Sequence, residues 1–267
     1  MKRMLLVLTA ATIAVAASVA TAGPATAATS DASNVVVPRG QPVEVAFAND
    51  LSGFASNFGA SFANAVQMAV DAHPAIRGFP IRINVVDAPC GDPAADVAAA
   101  TSIVSNSQNV GVLGQVCSFG FDQALPIYES AGIVTITGSA TADALPAFGP
   151  TVFNRTAVSD GDGFAAWYDA VSQLPSDLAW QQAYTLRLGT APTPLADLYY
   201  DAASPLIRDL QKVSDMDGGG SLVINRAALA AAVRQTVKFQ GVTCTITLDP
   251  ATGNRVNDAT ALASCAS

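Results

Sequence analysis

The sequence predicts a doubly wound α/β fold with a mainly parallel sheet, on three observations. From Val43 to Phe153, β-rich apolar runs alternate with stretches whose apolar residues recur at helical spacing. The runs are short and almost continuously apolar, as strands covered by helices on both faces must be. The chain has 267 residues, 51% hydrophobic and 13% charged, which is ample for a sizeable core and too little charge for disorder.

Taken in order, Val43–Ala48 is the first strand, ending in the loop Asn49-Asp50-Leu51-Ser52-Gly53. Phe62, Ala65, Val66, Ala69 and Val70 mark one face of a helix that stops before Pro74. Ile81–Val86 is the second strand, and Pro93 suits the first turn of a helix through Ala94–Val104. Val110–Leu113, Ile133–Ile136 and Thr151–Phe153 are the next strands, with a helix over Phe121–Ala131. Beyond Phe164 the pattern changes to helices at Phe164–Leu174, Leu178–Leu188 and Pro194–Lys212. Asp215–Ser221 reads as a glycine-rich loop, Asn225 as an N-cap for Arg226–Thr236, and Val242–Leu248 as a last strand added to the parallel sheet.

Lys2-Arg3, the apolar run from Leu5 to about Val19 and Ala25-Thr26-Ala27 form a secretory signal peptide, residues 1–27. A flexible leader over 28–42 is expected next. One α/β lobe follows over 43–258, its core at 43–171 and its C-terminal helices and strand at 178–258, and then a tail over 259–267. After signal cleavage the protein is expected to be soluble and extracytoplasmic. Four cysteines in an exported chain should pair, and four allow three connectivities. The pairing adopted is Cys90–Cys117 with Cys244–Cys265. Each bridge closes a loop of about 25 residues, worth ~3–4 kcal/mol on the chain-entropy relation.

A formal charge of -8 with scattered basic residues argues against nucleic acid as a partner. Enzymatic readings find little support. His73 is the one histidine and stands directly before Pro74, and no serine sits in a G-x-S-x-G elbow. Asp160/Asp162 and Asp215/Asp217 lack the twelfth-position carboxylate of a calcium loop, where Val171 and Arg226 stand. Neither a metal nor a cofactor is implied. What does stand out is the set of small and hydroxyl residues at expected strand ends: Ser52-Gly53, Ser118 and Gly138-Ser139-Ala140-Thr141. Parallel sheets bind ligands beyond such ends, where helix N-termini offer N–H groups to an anion.

The same residues carry a resemblance. VEVAFANDLSGFASNFG (Val43–Gly59), DAPCGDP (Asp87–Pro93), Cys117-Ser118, PIYESAGI (Pro126–Ile133) and the GSAT run resemble type 1 periplasmic solute-binding proteins. The nearest subgroup is the leucine/isoleucine/valine-binding proteins of ABC importers. Tyr200-Asp201-Ala202-Ala203 and Phe239-Gln240-Gly241-Val242-Thr243 extend the likeness to the C-terminal part. The resemblance implies a small amino-acid-like ligand contacted by Ser118, Ser139 and Thr141, an aromatic at Phe58 over it, Tyr200 as a further contact, and an ABC importer membrane component as partner. Family members close two lobes over the ligand. Here the segments that return to the first lobe follow Asn154-Arg155-Thr156 within about 25 residues, so a single lobe with weakened binding is expected. Phe119 and Phe121 flank the loop after Cys117, and a homodimer through the open face is the simplest cover for them.

Overall fold

The computed structural model describes residues 33–148 and 151–266, so the predicted signal peptide lies outside the described residues. Its elements begin with β1 (Asn34–Val37), β2 (Val43–Asn49), α1 (Ser56–Ala72), β3 (Ala75–Ile76), β4 (Phe79–Asp87) and α2 (Pro93–Ser105). There follow β5 (Asn109–Leu113), α3 (Ser118–Ala131), β6 (Val134–Thr137), β7 (Phe153–Arg155), α4 (Phe164–Val171) and α5 (Pro175–Leu188). The C-terminal part holds α6 (Ala196–Val213), β8 (Ser214–Met216), β9 (Leu222–Asn225), α7 (Arg226–Arg234), β10 (Phe239–Gly241), β11 (Cys244–Ile246) and α8 (Ala259–Cys265).

The main sheet has the order β3-β4-β2-β5-β6-β7, and all its pairings are parallel except the short β3–β4 hairpin. Every residue of β2, β5, β6 and β7 is buried, which is why these runs lack a polar alternation. On one face α1 and α6 pack together over Phe47, Val45 and Ile136. On the other, α2 and α3 cover Ala46, Val112 and Phe153. Helices on both faces make the sheet doubly wound, as the alternation predicts.

Four expectations need correction. The leader is in part a strand: β1 pairs antiparallel with β9, and Val35 and Val37 bury their side chains in the core. The glycine-rich loop is the turn of a β8–β9 hairpin, which completes that small sheet. The last strand does not join the parallel sheet. Val242-Thr243 is instead the turn between β10 and β11, because the buried Asp201 carboxylate accepts from the Val242 and Thr243 N–H groups at 2.8 and 2.9 Å. The tail folds as α8, whose Cys265 is bridged to Cys244. The second disulfide joins Cys90 to Cys117, so both pairings are as adopted from the sequence.

Candidate functional site

In the main sheet the chain runs from β2 out to β4, then crosses to β5 on the other side of β2. The order therefore reverses between β2 and β5, and a crevice opens beyond their carboxyl ends. Three loops meet there. The loop after β2 is organised by Asp50, whose carboxylate accepts from Gly53 N–H and, at 2.9 Å, Ala55 N–H. Gly53 has to be glycine: a Cβ there would lie 2.4 Å from the Cys90 backbone nitrogen. After β5, Cys117 is bound to Cys90 of the β4–α2 loop with a Cα–Cα distance of 5.6 Å, and the Cys90 carbonyl accepts from Phe54 N–H of the loop after β2 at 3.4 Å. After β6, Thr137 Oγ1 donates to Gln115 O at 2.7 Å and accepts from Ala140 N–H at 3.1 Å, which holds the third loop to the second.

These loops enclose a cleft of about 300 Å³ lined by Phe58, Phe62, Ser118, Phe119, Ser139 and Leu195, among others. Phe58 is half-buried and stacks on Phe62, ring centroids 5.9 Å apart. The Ser118 hydroxyl accepts from Ala142 N–H at 3.1 Å, which leaves its own proton to donate. Ser139 is in the opposite condition. Its hydroxyl donates to Val116 O at 2.7 Å and lies 2.8 Å from the Tyr199 hydroxyl, so Tyr199 is the donor of that second bond. Burial pushes the Tyr199 phenol up to about 12, which keeps the donating proton in place. The cleft thus presents one hydroxyl donor, one oxygen with a spare lone pair and an aromatic wall. That set suits binding of a small polar-apolar molecule and contains no paired nucleophile and base.

Of the residues singled out in the sequence, Phe58, Ser118 and Ser139 line this one cleft. Thr141 stands in the same loop, half-buried and outside the cleft wall, and its carbonyl accepts from Asp160 N–H at 3.0 Å. Tyr200 is elsewhere. It packs on Trp180 at 5.8 Å and lines a separate groove of about 810 Å³ with His73, Arg208 and Phe239. Its neighbour Tyr199 takes the place beside Ser139, since consecutive helical side chains point about 100° apart. Ser52-Gly53 is also corrected as an anion site. The Ser52 hydroxyl donates to Asp87 at 2.6 Å, and the N–H groups leading into α1 are held by Asp50.

The surroundings are acidic. Asp96 lies under Gly120, and its carboxyl is pushed up to about 7 by burial first, then by Asp50, Asp92, Asp122 and Asp87. Phe54 and Phe119 stand at the mouth, 76% and 62% exposed, whereas Phe121 is fully buried on the inner face of α3. The two phenylalanines flanking the loop have therefore split, one outward and one inward.

No family model matches the chain. Over 125 residues it is 34% identical to the Leu/Ile/Val-binding protein of Escherichia coli K12, a match covering 46% of this chain and 34% of that protein. The Leu/Ile/Val/Thr-binding protein of Salmonella typhimurium is 34% identical over 123 residues, 45% of this chain and 33% of its own length. The matched segment thus spans about a third of the curated relatives. Among solved structures, a leucine-binding protein of Thermotoga maritima superposes with a TM-score of 0.66 at 14% identity, covering 80% of this chain and 93% of its own. The branched-chain amino acid transporter substrate-binding protein of Streptococcus pneumoniae, solved with isoleucine, gives 0.66 at 15% identity, with 81% and 94% covered. The fold is that of the type 1 periplasmic binding proteins, and over the matched stretch this chain is similar to the Leu/Ile/Val-binding proteins.

Proposed function

We propose that the protein binds a small amino-acid-like solute outside the cytoplasm, in the cleft between Phe58, Ser118 and Ser139, as part of ABC-type uptake. The supporting observation is the meeting of these three side chains at the point where the strand order reverses. Ser118 would donate to an α-carboxylate, and Ser139, with only a lone pair to offer, would accept from an α-ammonium. Phe58 and Phe62 would take an aliphatic side chain. The acidic groups behind the loops favour the ammonium end.

One lobe is the second part of the reading. Among the described residues, every parallel strand belongs to the one six-stranded sheet, and the other two sheets are small and antiparallel. A ligand in this cleft keeps one side in water, where competition weakens each polar contact. Leucine or isoleucine should therefore bind with a Kd near the millimolar range, about -4 kcal/mol. Calorimetry on the disulfide-bonded protein tests this, with Ser118→Ala expected to weaken binding roughly tenfold through loss of a hydrogen bond to a charged group. A micromolar complex with the monomer contradicts the one-lobed reading, and an unchanged Ser118→Ala contradicts the site.

A second reading, a protein-interaction module reusing this fold, is favoured by Phe54 and Phe119 at the mouth. In that case a second copy covers the cleft.

A further inference from the structure

Two buried carboxyls meet behind the cleft at Ser118. Asp177, in the first turn of α5, is fully buried, and Asp197, in the first turn of α6, is 3% exposed. Their side chains are hydrogen-bonded to one another. A carboxylate oxygen only accepts, so that bond requires a proton held between the two groups. The other oxygen of each is taken: Gln181 Nε2 donates to Asp177 Oδ2 at 2.6 Å, and the Tyr168 hydroxyl donates to Asp197 Oδ1 at 3.1 Å. Asp177 Oδ1 and Asp197 Oδ2 have no further partner among the described residues and are left to the shared proton.

Neither carboxyl is in an ion pair. Asp201, one turn along α6, adds a third buried carboxyl, itself satisfied by the Val242 and Thr243 N–H groups. Arg255 is the cation nearest this group, and it is spent on Thr156 O, Thr243 and Thr245 O. Tyr168 and Tyr200 keep their phenol protons, because burial pushes both up. Burial lifts the Asp177 carboxyl to about 6, and burial, then Asp177 and Asp201, lifts that of Asp197 well above its ordinary value. Unfolded, both titrate near 3.8. What the pair contributes to stability is therefore fully present below 3.8 and lost as pH rises through the folded values.

A chain of hydrogen bonds leads from the pair to the cleft. The Tyr168 hydroxyl that donates to Asp197 accepts from Leu195 N–H at 2.7 Å, and Leu195 lines the cleft with Phe58, Ser118 and Ser139. Leu195 has φ +70°, a left-handed conformation uncommon for leucine, so its placement leans on that bond. Two residues earlier, Thr193 N–H donates to Ser61 Oγ at 2.9 Å, and the Tyr184 hydroxyl of α5 lies 3.0 Å from the same oxygen. Both helices that carry the acid pair thus hold the connection over 189–195.

We propose that the proton shared by Asp177 and Asp197 is a pH-sensitive latch on the solute cleft: its loss drives the two carboxylates apart, parts α5 from α6 and frees the Leu195 wall. The regulation of binding rests on the solute reading given above, whereas the link from the pair to Leu195 rests on the geometry alone.

NMR titration of the disulfide-bonded protein from about pH 5 to about pH 10 tests the link. The Trp180 ring, which shares a cleft of about 220 Å³ with Asp197, and the Leu195 methyl groups should show a common step above about pH 6. In Asp177→Asn the amide oxygen accepts from Gln181 and the amide N–H donates to Asp197, a proton that is not lost, so both steps should vanish. Asp197→Asn offers the same bonds in reverse and serves should the first variant fail to fold. Tyr168→Phe cuts the chain: the Trp180 step should remain and the Leu195 step should disappear. By calorimetry, leucine affinity should fall across this range roughly fivefold more in the wild type than in Asp177→Asn, where Asp96 and the ligand still titrate. A Leu195 step retained in the Asn variant or in Tyr168→Phe overturns the latch, and so does an equal fall of affinity in wild type and Asp177→Asn. Absence of leucine binding at every pH removes the solute reading, and the Trp180 and Leu195 steps then decide the latch by themselves.

Discussion

At Asp96 the side chain is 2% exposed and pressed against Gly120, whose φ of +94° and lack of a Cβ allow the approach. The unfolded carboxyl releases its proton near 3.8, and the folded one near 7. Between those values the native state holds a proton that the unfolded state has lost, so stability falls as pH rises through this window. Above about 7 the full cost of the buried charge is present. Asp96→Asn should therefore raise Tm at pH 8, by ~2–4 °C for each 1 kcal/mol recovered at this chain length, and the gain should disappear near pH 4. An equal gain at both pH values would mean that the carboxyl does not titrate in this way. No local pattern marks this group, because its neighbours Asp50, Asp87, Asp92 and Asp122 come from the loop after β2, the end of β4, the cap of α2 and the body of α3. Ser118 and Ser139 are legible for the contrary reason: each lies within five residues of a strand's end, in a short, recognisable run. Tyr199 was missed because choosing between adjacent tyrosines requires the rotation of α6, which Phe47 and Phe62 fix by packing on its ring at 5.3 and 4.6 Å.

Among the elements, those whose partners are local were readable and those whose partners are remote were not. The helix α7 begins where Asn225 accepts from Ala228 N–H at 2.8 Å, a signal carried within four residues. In contrast, β1 is stabilised by β9, and Asn34 pairs with Asn225, 191 residues further along the chain. Its Val35/Val37 alternation is present in the sequence but too short to read without that partner. The disulfides divide in the same way. Cys244–Cys265 holds α8, which buries none of its residues, whereas Cys90–Cys117 anchors the site loop after β5 to the loop after β4. Paired substitution of Cys244 and Cys265 by serine should release α8 to proteolysis and leave leucine binding intact. The Cys90→Ser/Cys117→Ser protein should lose binding even where its far-UV dichroism is retained. Limited proteolysis and calorimetry on both proteins check this, and equal binding loss in the two would remove the special role given to Cys90–Cys117.

The charge and the apolar mouth act at the scale of the whole molecule. A formal charge of -8 keeps copies apart in dilute solution, yet Phe54 and Phe119 stand 76% and 62% exposed beside Leu51, which is 48% exposed. Folded monomers seldom leave an apolar patch beyond a few hundred Å² uncovered, and aromatic residues are frequent anchors of interfaces. The rings border the crevice and do not form the wall of the core, so removing them should spare the fold. Phe121 differs: it is fully buried against Phe153, ring centroids 5.8 Å apart, and its replacement by serine would destabilise the lobe itself, by ~3–5 kcal/mol if the cost matches that of truncating a core phenylalanine to alanine. The informative variant is therefore Phe54→Ser/Phe119→Ser. Isologous pairing brings the same patch of two copies together, and salt should promote it by screening the repulsion between acidic chains. Sedimentation velocity over a concentration series should show the wild type shifting toward a dimer, more so at high salt, and the double variant remaining monomeric with unchanged Tm. A wild type that sediments as a monomer throughout, with no gain in solubility from the double substitution, leaves the mouth open to solvent and returns the cleft to solute binding alone.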